Sequence, residues 1–472
     1  MQNKRLVINS IYYTIGEILP RVMGFFLLPL VTHYLTTAQY GIYSYTNTVM
    51  TFLFALSTLS LNSFLLREYY KEDTAEGKRK IIGNIFLLML LANAVAAGLE
   101  LLLIPGALSL LKTGIPFHPY FLLAIVNNFM EGITVIPLVI YRIRQNARMF
   151  VLLSGSRIFL QLALTALLLS QWHFGLNGVY LGRTFVGIPF SLLFLWIVYR
   201  NALFRPDVQQ MRKALRFSLP LLPGVLSYLF IATFDRMVLE KHVGLSSLGL
   251  YSTAATLALA LNFIITGLYR AFEQKLFENH GRPGYETIMD ELYRYFLAIL
   301  LGGGFLVSLF SREIFQFFTS ADFRPAYKLV ALLVIPVILN GLITFLTVLV
   351  IAEQRQTLVT KGMFRSLLVS IPATLGFIQL WGVYGAILSS GLSFGIVVFY
   401  YLYHLRLKRP YILTWGFLLL LLLGICQGMQ QVNLSLVPMV LIKLGLAAGY
   451  LGLCAFCFRI RIALPKRADA AH

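Results

Sequence analysis

The sequence predicts an all-α, polytopic membrane protein of about fourteen transmembrane helices: two six-helix halves around a central cavity, plus a terminal helix pair. Three observations carry this. The 472 residues are 58% hydrophobic and only 12% charged, with a mean hydropathy of +0.77, whereas a soluble domain carries about 25% charged residues. Apolar runs of the roughly 20 residues needed to cross a bilayer as a helix recur along the whole length. The basic residues fall between those runs, and mostly in every second inter-run segment.

The first run, 8–32, follows Lys4 and Arg5 and holds Glu17, Pro20 and Arg21. Those charges, and the lack of a small-residue cleavage site, predict a retained helix rather than a cleaved leader. Further runs lie at 41–65, 81–105, 119–141, 149–171, 177–199, 217–239, 248–269, 295–318, 328–351, 363–381, 384–403, 411–429 and 435–458. Trp381-Gly382-Val383 predicts a tight turn between two of them. Cys426, Cys454 and Cys457 all sit in the last runs. With no other ligand type nearby they read as lipid-level thiols, not as a metal site or a disulfide framework.

The net charge of +20 would suggest nucleic acid in a soluble chain. Here alternate inter-run segments hold most of the 39 Lys and Arg, while the opposite segments hold Lys112, Lys241, Arg324 and Lys328. The positive-inside rule then places both termini in the cytoplasm, and no nucleic-acid partner is needed to explain the charge. Arg21, Arg157, Arg183, Arg236, Arg312 and Lys443 escape this sorting and lie within or at the rim of runs. Lys443, in the terminal pair, is expected outside the core.

"YGIYS" at Tyr40–Ser44 matches "LGLYS" at Leu248–Ser252, and "FGLNGVYLG" at Phe174–Gly182 resembles "WGVYGAILS" at Trp381–Ser389. The near-constant offset predicts parallel repeats, 1–205 and 206–410, followed by two extra helices and a tail, 411–472. Such repeats frame a midplane cavity in transporters.

No Walker motif, zinc signature or Ser/His/Asp arrangement occurs, and the inter-run loops are short. The sequence therefore predicts no enzyme activity, no cofactor and no metal. Ionisable residues inside spans are functional candidates, and polar residues at helical spacing share a face. Such stripes are Tyr13, Glu17, Arg21 and Gly24; Asn127, Glu131 and Thr134; Ser154, Arg157, Gln161 and Thr165; Asn177, Tyr180, Arg183 and Thr184; Asn340, Thr344 and Thr347; and Ser366, Ser370 and Thr374. Turning them toward one aqueous cavity gives the candidate binding residues Arg21, Arg157, Arg183, Glu17, Glu131, Asn127, Gln161 and Asn340. Glu17, Glu131, Asp235 and Arg236 are the candidates for coupling or gating. Glu17 and Arg21, four apart with the acid first, can bridge along one helix.

The chain resembles the polysaccharide-transporter branch of the multidrug/oligosaccharidyl-lipid/polysaccharide exporter superfamily, which includes O-antigen flippases of the Wzx type. The stretches that carry the resemblance are "LPRVMGFFLLPLVTHYLTTAQYGIYS" at Leu19–Ser44, "YRIRQNARMF" at Tyr141–Phe150, "LPLLPGVLSYLFIATFDRMVLEKHVGLSSLGLYSTA" at Leu219–Ala254 and "LWGVYGAILSS" at Leu380–Ser390. Arg21 matches the arginine of a related stretch in lipid II flippases, and Asp235-Arg236 an acidic-basic pair at the end of the seventh span. The resemblance implies a multi-pass protein of the bacterial inner membrane. It would move oligosaccharide on undecaprenyl pyrophosphate from inner to outer leaflet, driven by a coupling H+ or Na+, among polysaccharide assembly proteins. A drug or metabolite antiporter of the same superfamily and a membrane-bound glycan polymerase or glycosyltransferase are the alternatives. A cationic cavity speaks against the first, and the lack of a large loop against the second.

Overall fold

A computed structural model describes residues 25–279, 283–405, 418–419, 421–422, 424–429 and 436–457, and every regular element among them is helical. Glu17 and Arg21 lie outside the described residues. Ten stretches are long and apolar enough to cross a membrane, so the chain is an all-α multi-pass membrane protein.

Helix α1 is described over Phe25–Tyr34. Helix α2, Thr37–Thr58, starts at a capping box. Thr36 Oγ1 accepts from Gln39 N at 3.2 Å and Gln39 Oε1 accepts from Thr36 N at 3.0 Å, which satisfies two otherwise orphaned donors. A two-residue break at Leu59-Ser60 separates it from α3, Leu61–Tyr69. The same break recurs at Leu259-Ala260, and each is followed by a fully buried leucine and an asparagine, Leu61-Asn62 and Leu261-Asn262. Helix α4, Ala75–Leu111, is capped by Thr74. At about 1.5 Å per residue it is roughly 55 Å long, well beyond a bilayer core of about 30 Å. Then come α5 (Leu122–Ile143), α6 (Ala147–Ser170), α7 (Gly175–Asn201), α8 (Val208–Ser218), α9 (Leu222–Ala258) and α10 (Leu261–Asn279). They are followed by α11 (Tyr285–Leu309), α12 (Ser311–Phe318), α13 (Tyr327–Ala352), α14 (Gln356–Trp381), α15 (Val383–Leu405) and α16 (Leu436–Cys457).

Helix α9 is two arms. Gly244 takes φ 81° and ψ 168°, outside the helical region, and Tyr251 Oη donates to Asp235 across it. Sixteen residues of continuous helix would separate those residues by about 24 Å, so the chain folds back at Gly244. The first arm corresponds to the run expected at 217–239, and the run expected at 248–269 is divided between the second arm and α10 by the break at Leu259-Ala260. The tight turn expected at Gly382 is present, with φ 54°. Helix α8 is a difference from the sequence reading, which had this segment as an inter-span loop.

The described chain forms two compact units. The first comprises 25–253, Phe318–Phe323 and Thr360–Ser393; the second comprises Ala254–Phe317, Arg324–Val359 and the described residues from Phe394 onward. In the first, α7 packs on α5 and α6, and α4 on α5 and α2. Leu61, Phe64 and Leu65 of α3, Ile82, Ile85 and Phe86 of α4, and Ile136 and Ile140 of α5 form one apolar cluster that also takes in Ala214 of α8.

Polar ties hold α8 to the start of α4. Lys80 Nζ donates to Asp207 Oδ2 at 2.7 Å, Asp207 N donates to Asn84 Oδ1 at 3.1 Å, and Asn84 Nδ2 donates to Gln210 Oε1 at 2.7 Å. The Lys80 ammonium, then the Gln210 backbone N–H, hold the Asp207 carboxyl below the usual aspartate range. A depressed folded-state value means the stabilisation is present above the unfolded value and lost as pH falls through the folded one. Asp207→Asn keeps the helix cap but loses the charge. Its melting temperature in detergent is therefore expected to lie below wild type at pH 7, with the gap closing as pH falls below the ordinary aspartate range. A gap independent of pH would remove the electrostatic explanation.

In the second unit α11 is central, packing on α10, α13 and α16. Its Gly302-Gly303-Gly304 triplet faces a different neighbour at each step. A Cβ at these positions would meet Tyr450 Cε1 of α16 at 2.6 Å, Ile264 Cδ1 of α10 at 2.6 Å and Val334 Cγ1 of α13 at 2.8 Å. Lys443 of α16 is buried between the end of α11 and α12. It is 2% exposed, and its ammonium donates to both oxygens of Glu313 at 2.7 Å and to Leu309 O at 2.6 Å. Tyr450 Oη adds a bond to Ala298 O at 2.6 Å.

Candidate functional site

A cavity of about 450 Å³ opens within the first unit, between α2, α5, α6 and α7. Helical spacing builds its walls. Ser154, Arg157, Gln161 and Thr165 follow one face of α6; Tyr180 and Arg183 lie one turn apart on α7; Asn127, Asn128 and Glu131 come from α5; and Asn47, Met50, Thr51 and Phe54 from α2.

Two arginines supply its positive charge, and they differ in state. Arg157 Nη2 donates to Glu131 Oε2 at 2.5 Å; the arginine side chain is 9% exposed and the glutamate 52%. The carboxylate therefore faces the cavity and the guanidinium lies behind it. Arg157 Nε is buried without a partner, so the group has unused donor capacity. Arg183 Nη2 donates to the Tyr43 hydroxyl at 2.6 Å, with its guanidinium carbon 5.5 Å from the Tyr43 ring centre. That combines a charge-assisted hydrogen bond with a cation–π contact. The Tyr43 ring meets Tyr180 edge-on at 6.0 Å. Among the described lining residues the titratable charges are two guanidinium groups and one carboxylate, a net of +1.

Of the sequence candidates, Asn127, Glu131, Arg157, Gln161 and Arg183 line this cavity. Asn127 does so with its amide already engaged: Nδ2 donates to Tyr180 O and Oδ1 accepts from Thr184 Oγ1, both at 3.1 Å. It ties α5 to α7. Asn340 is elsewhere, on α13 in the second unit. The α14 stripe is a correction. Ser366, Ser370 and Thr374 are 0–3% exposed, and Ser366 Oγ donates to Ser393 O of α15 at 2.6 Å, so they form a packing seam rather than a cavity wall.

Asp235 and Arg236 are not in the cavity lining either. Asp235 is buried on the first arm of α9. It accepts from Tyr251 Oη, from Arg236 N at 2.8 Å and from Ser390 Oγ at 3.5 Å. Tyr43, Asn47 and Thr51 were not singled out from the sequence, although their i, i+4, i+8 spacing in α2 is the signal used for the other stripes.

The fold is shared with solved membrane transporters. A lipid II flippase, MurJ, in an inward closed conformation aligns with a TM-score of 0.73 and 14% identity over 96% of this chain and 99% of its own. A MATE-family multidrug transporter of the MOP superfamily, inward-facing, aligns with a TM-score of 0.68 and 15% identity over 85% and 99%. In sequence, residues 6–271 match the family described as polysaccharide biosynthesis protein, and the chain belongs to that family. An Lsg-locus protein of Haemophilus influenzae is 22% identical over 303 residues, covering 62% of this chain and 71% of its own length.

Proposed function

We propose that this protein flips an oligosaccharide carried on undecaprenyl pyrophosphate from the inner to the outer leaflet of the bacterial cytoplasmic membrane, by alternating access. Both termini would lie in the cytoplasm. The observation that carries the reading is the cavity's donor set, in a chain of the polysaccharide biosynthesis family. Two arginines suit a pyrophosphate, because a planar fork matches phosphate oxygens. The amides and hydroxyl of Asn47, Asn128, Gln161 and Thr51 around them suit sugar hydroxyls. The prenyl tail stays in lipid. A net positive wall disfavours the cationic substrates of a drug antiporter, which is the second reading. Asp235, buried against two hydroxyls, is the candidate to carry a coupling proton or sodium ion.

The test is binding of undecaprenyl pyrophosphate to the purified protein, followed by native mass spectrometry. Arg183→Ala is expected to weaken it about ten- to a hundredfold, the worth of a charge-assisted hydrogen bond. Glu131→Gln should tighten it, because the described cavity lining then loses its carboxylate and Arg157 is released from its ion pair. Wild-type affinity in Arg183→Ala, with normal folding, would defeat the anion-binding reading. Export of surface glycan in cells lacking the native gene should follow the same order.

A further inference from the structure

The cavity is ordered along its length. A Cβ on Gly182 of α7 would lie 3.0 Å from Thr165 Cα of α6, and one on Gly178 would lie 3.3 Å from Leu168 Cβ. The two helices are antiparallel in that register, so Arg157 lies seven residues, about 10 Å, along the axis from Arg183. Helix α5 runs with α7: Asn127 Oδ1 accepts from Thr184, and a Cβ on Gly187 would lie 2.7 Å from Met130 Sδ. That puts Glu131 about 7 Å from the level of Arg183. Tyr45 meets Phe121 at 6.4 Å and Asn128 Nδ2 reaches Met50 O at 3.5 Å, so α2 runs with α5, and Phe54 lines the cavity at the level of Glu131. At Arg183 the wall presents a cation. At the second level it presents a carboxylate, because Arg157, 9% exposed, lies behind Glu131, 52% exposed. Glu131 Oε2 takes the arginine, while Oε1 accepts from no described residue. Gln161, one turn from Arg157 on α6, likewise leaves its amide without a described partner.

We propose that Glu131 binds the sugar next to the pyrophosphate and sets its chemical class: a neutral or N-acylated sugar is accepted, and an acidic one is rejected. The proposal rests on the reading that Arg183 takes the anionic head of the substrate, and it divides the cavity into a phosphate end and a sugar end. A head group at Arg183 brings the sugar attached to it to the level of Glu131. An ionised carboxylate is acceptor-only, and hydrogen bonds to it are roughly twice as strong as neutral ones. Sugar hydroxyls and amides can donate to the free Oε1, with Gln161 beside it, while the Phe54 ring offers an apolar surface to the C–H face of the sugar. A hexuronate carboxylate has no proton to give. It would also stand against a like charge, and a repulsive element of this kind is how a site excludes a close analogue.

The experiment compares three ligands on the purified protein by native mass spectrometry: undecaprenyl pyrophosphate, its glucose conjugate and its glucuronic acid conjugate. The two conjugates differ only at the sugar C6, a hydroxymethyl group against a carboxylate. In the wild type, glucose should tighten binding over the bare carrier about tenfold, the worth of a charge-assisted hydrogen bond, and glucuronic acid should not. In Glu131→Gln the bare carrier binds more tightly, but the gain from glucose should fall about tenfold, and the glucuronic acid conjugate should bind at least as well as the glucose conjugate. No glucose gain in the wild type, or the wild-type ratios among the three ligands in Glu131→Gln, overturns the proposal. Arg183→Ala separates the two readings. If it weakens all three ligands while Glu131→Gln leaves their ratios unchanged, anion binding stands and the sugar assignment alone is overturned. If it binds the bare carrier as tightly as wild type, the anion reading fails and the sugar assignment goes with it. Should Glu131→Gln not fold, Glu131→Asp keeps a carboxylate for Arg157 but withdraws it from the sugar by one methylene. It should then lose part of the glucose gain, and an unchanged gain overturns the proposal.

Discussion

Lys443→Ala is expected to cost about 3–5 kcal/mol of stability, because it strands Glu313 as a buried charge rather than merely deleting a contact. Both oxygens of Glu313 receive the Lys443 ammonium at 2.7 Å, and Leu309 O loses its donor at the same time. A drop in melting temperature of the detergent-solubilised protein, with faster proteolysis of the terminal segment, is the measurement. The double replacement Lys443→Met with Glu313→Leu should recover most of the loss, since apolar residues of similar volume often replace a buried pair at little cost. If the single variant melts like wild type, the pair is solvated and the packing of α16 described above is wrong.

Gly249→Ala is expected to have the second-largest effect. A methyl group 1.9 Å from a backbone carbonyl cannot be relieved by a rotamer change, so α2 and α9 must part by more than about 1 Å. Overpacking of this kind typically costs about 1–3 kcal/mol. Spin labels at Tyr34→Cys, three residues ahead of α2, and at Ser246→Cys on α9, both exposed, should report a wider separation. Gly267→Ala is the contrasting control: nothing lies within 4 Å of its Cβ, and removing a mid-helix glycine should stabilise α10 by up to about 1 kcal/mol. Equal melting temperatures and equal label distances in the two variants would refute the close approach.

Much of this was legible in the chain because bilayer spans leave a strong apolar signal. The helices at 147–170, 175–201 and 327–352 fall close to the apolar runs, and Gly382 marks its turn. The α6 residues Ser154, Arg157, Gln161 and Thr165 line a cavity along one helix face. The same reasoning misplaces Ser366, Ser370 and Thr374, because small polar residues at helical spacing serve a tight helix seam as well as an aqueous wall, and residue type alone does not distinguish them. The ion pair of Lys443 is hidden for a different reason. Its partner is 130 residues away in sequence, and no local pattern records a pairing at that distance. Asn127 looked available because the backbone and hydroxyl partners that occupy it belong to another helix. Helix α8 was hidden because an amphipathic helix of eleven residues between spans has the composition of a basic loop.

The glycine triplet of α11 has a mechanical consequence. Three successive residues, about 100° apart around the axis, receive side chains from α16, α10 and α13 at one level. Turning α11 by one residue in either sense would drive Leu301 or Phe305 into a place that now admits no side chain. The helix is keyed like a splined shaft, unable to swivel among its neighbours. Rotation of α11 is therefore opposed by all three neighbours at once, the carboxy-terminal helix among them.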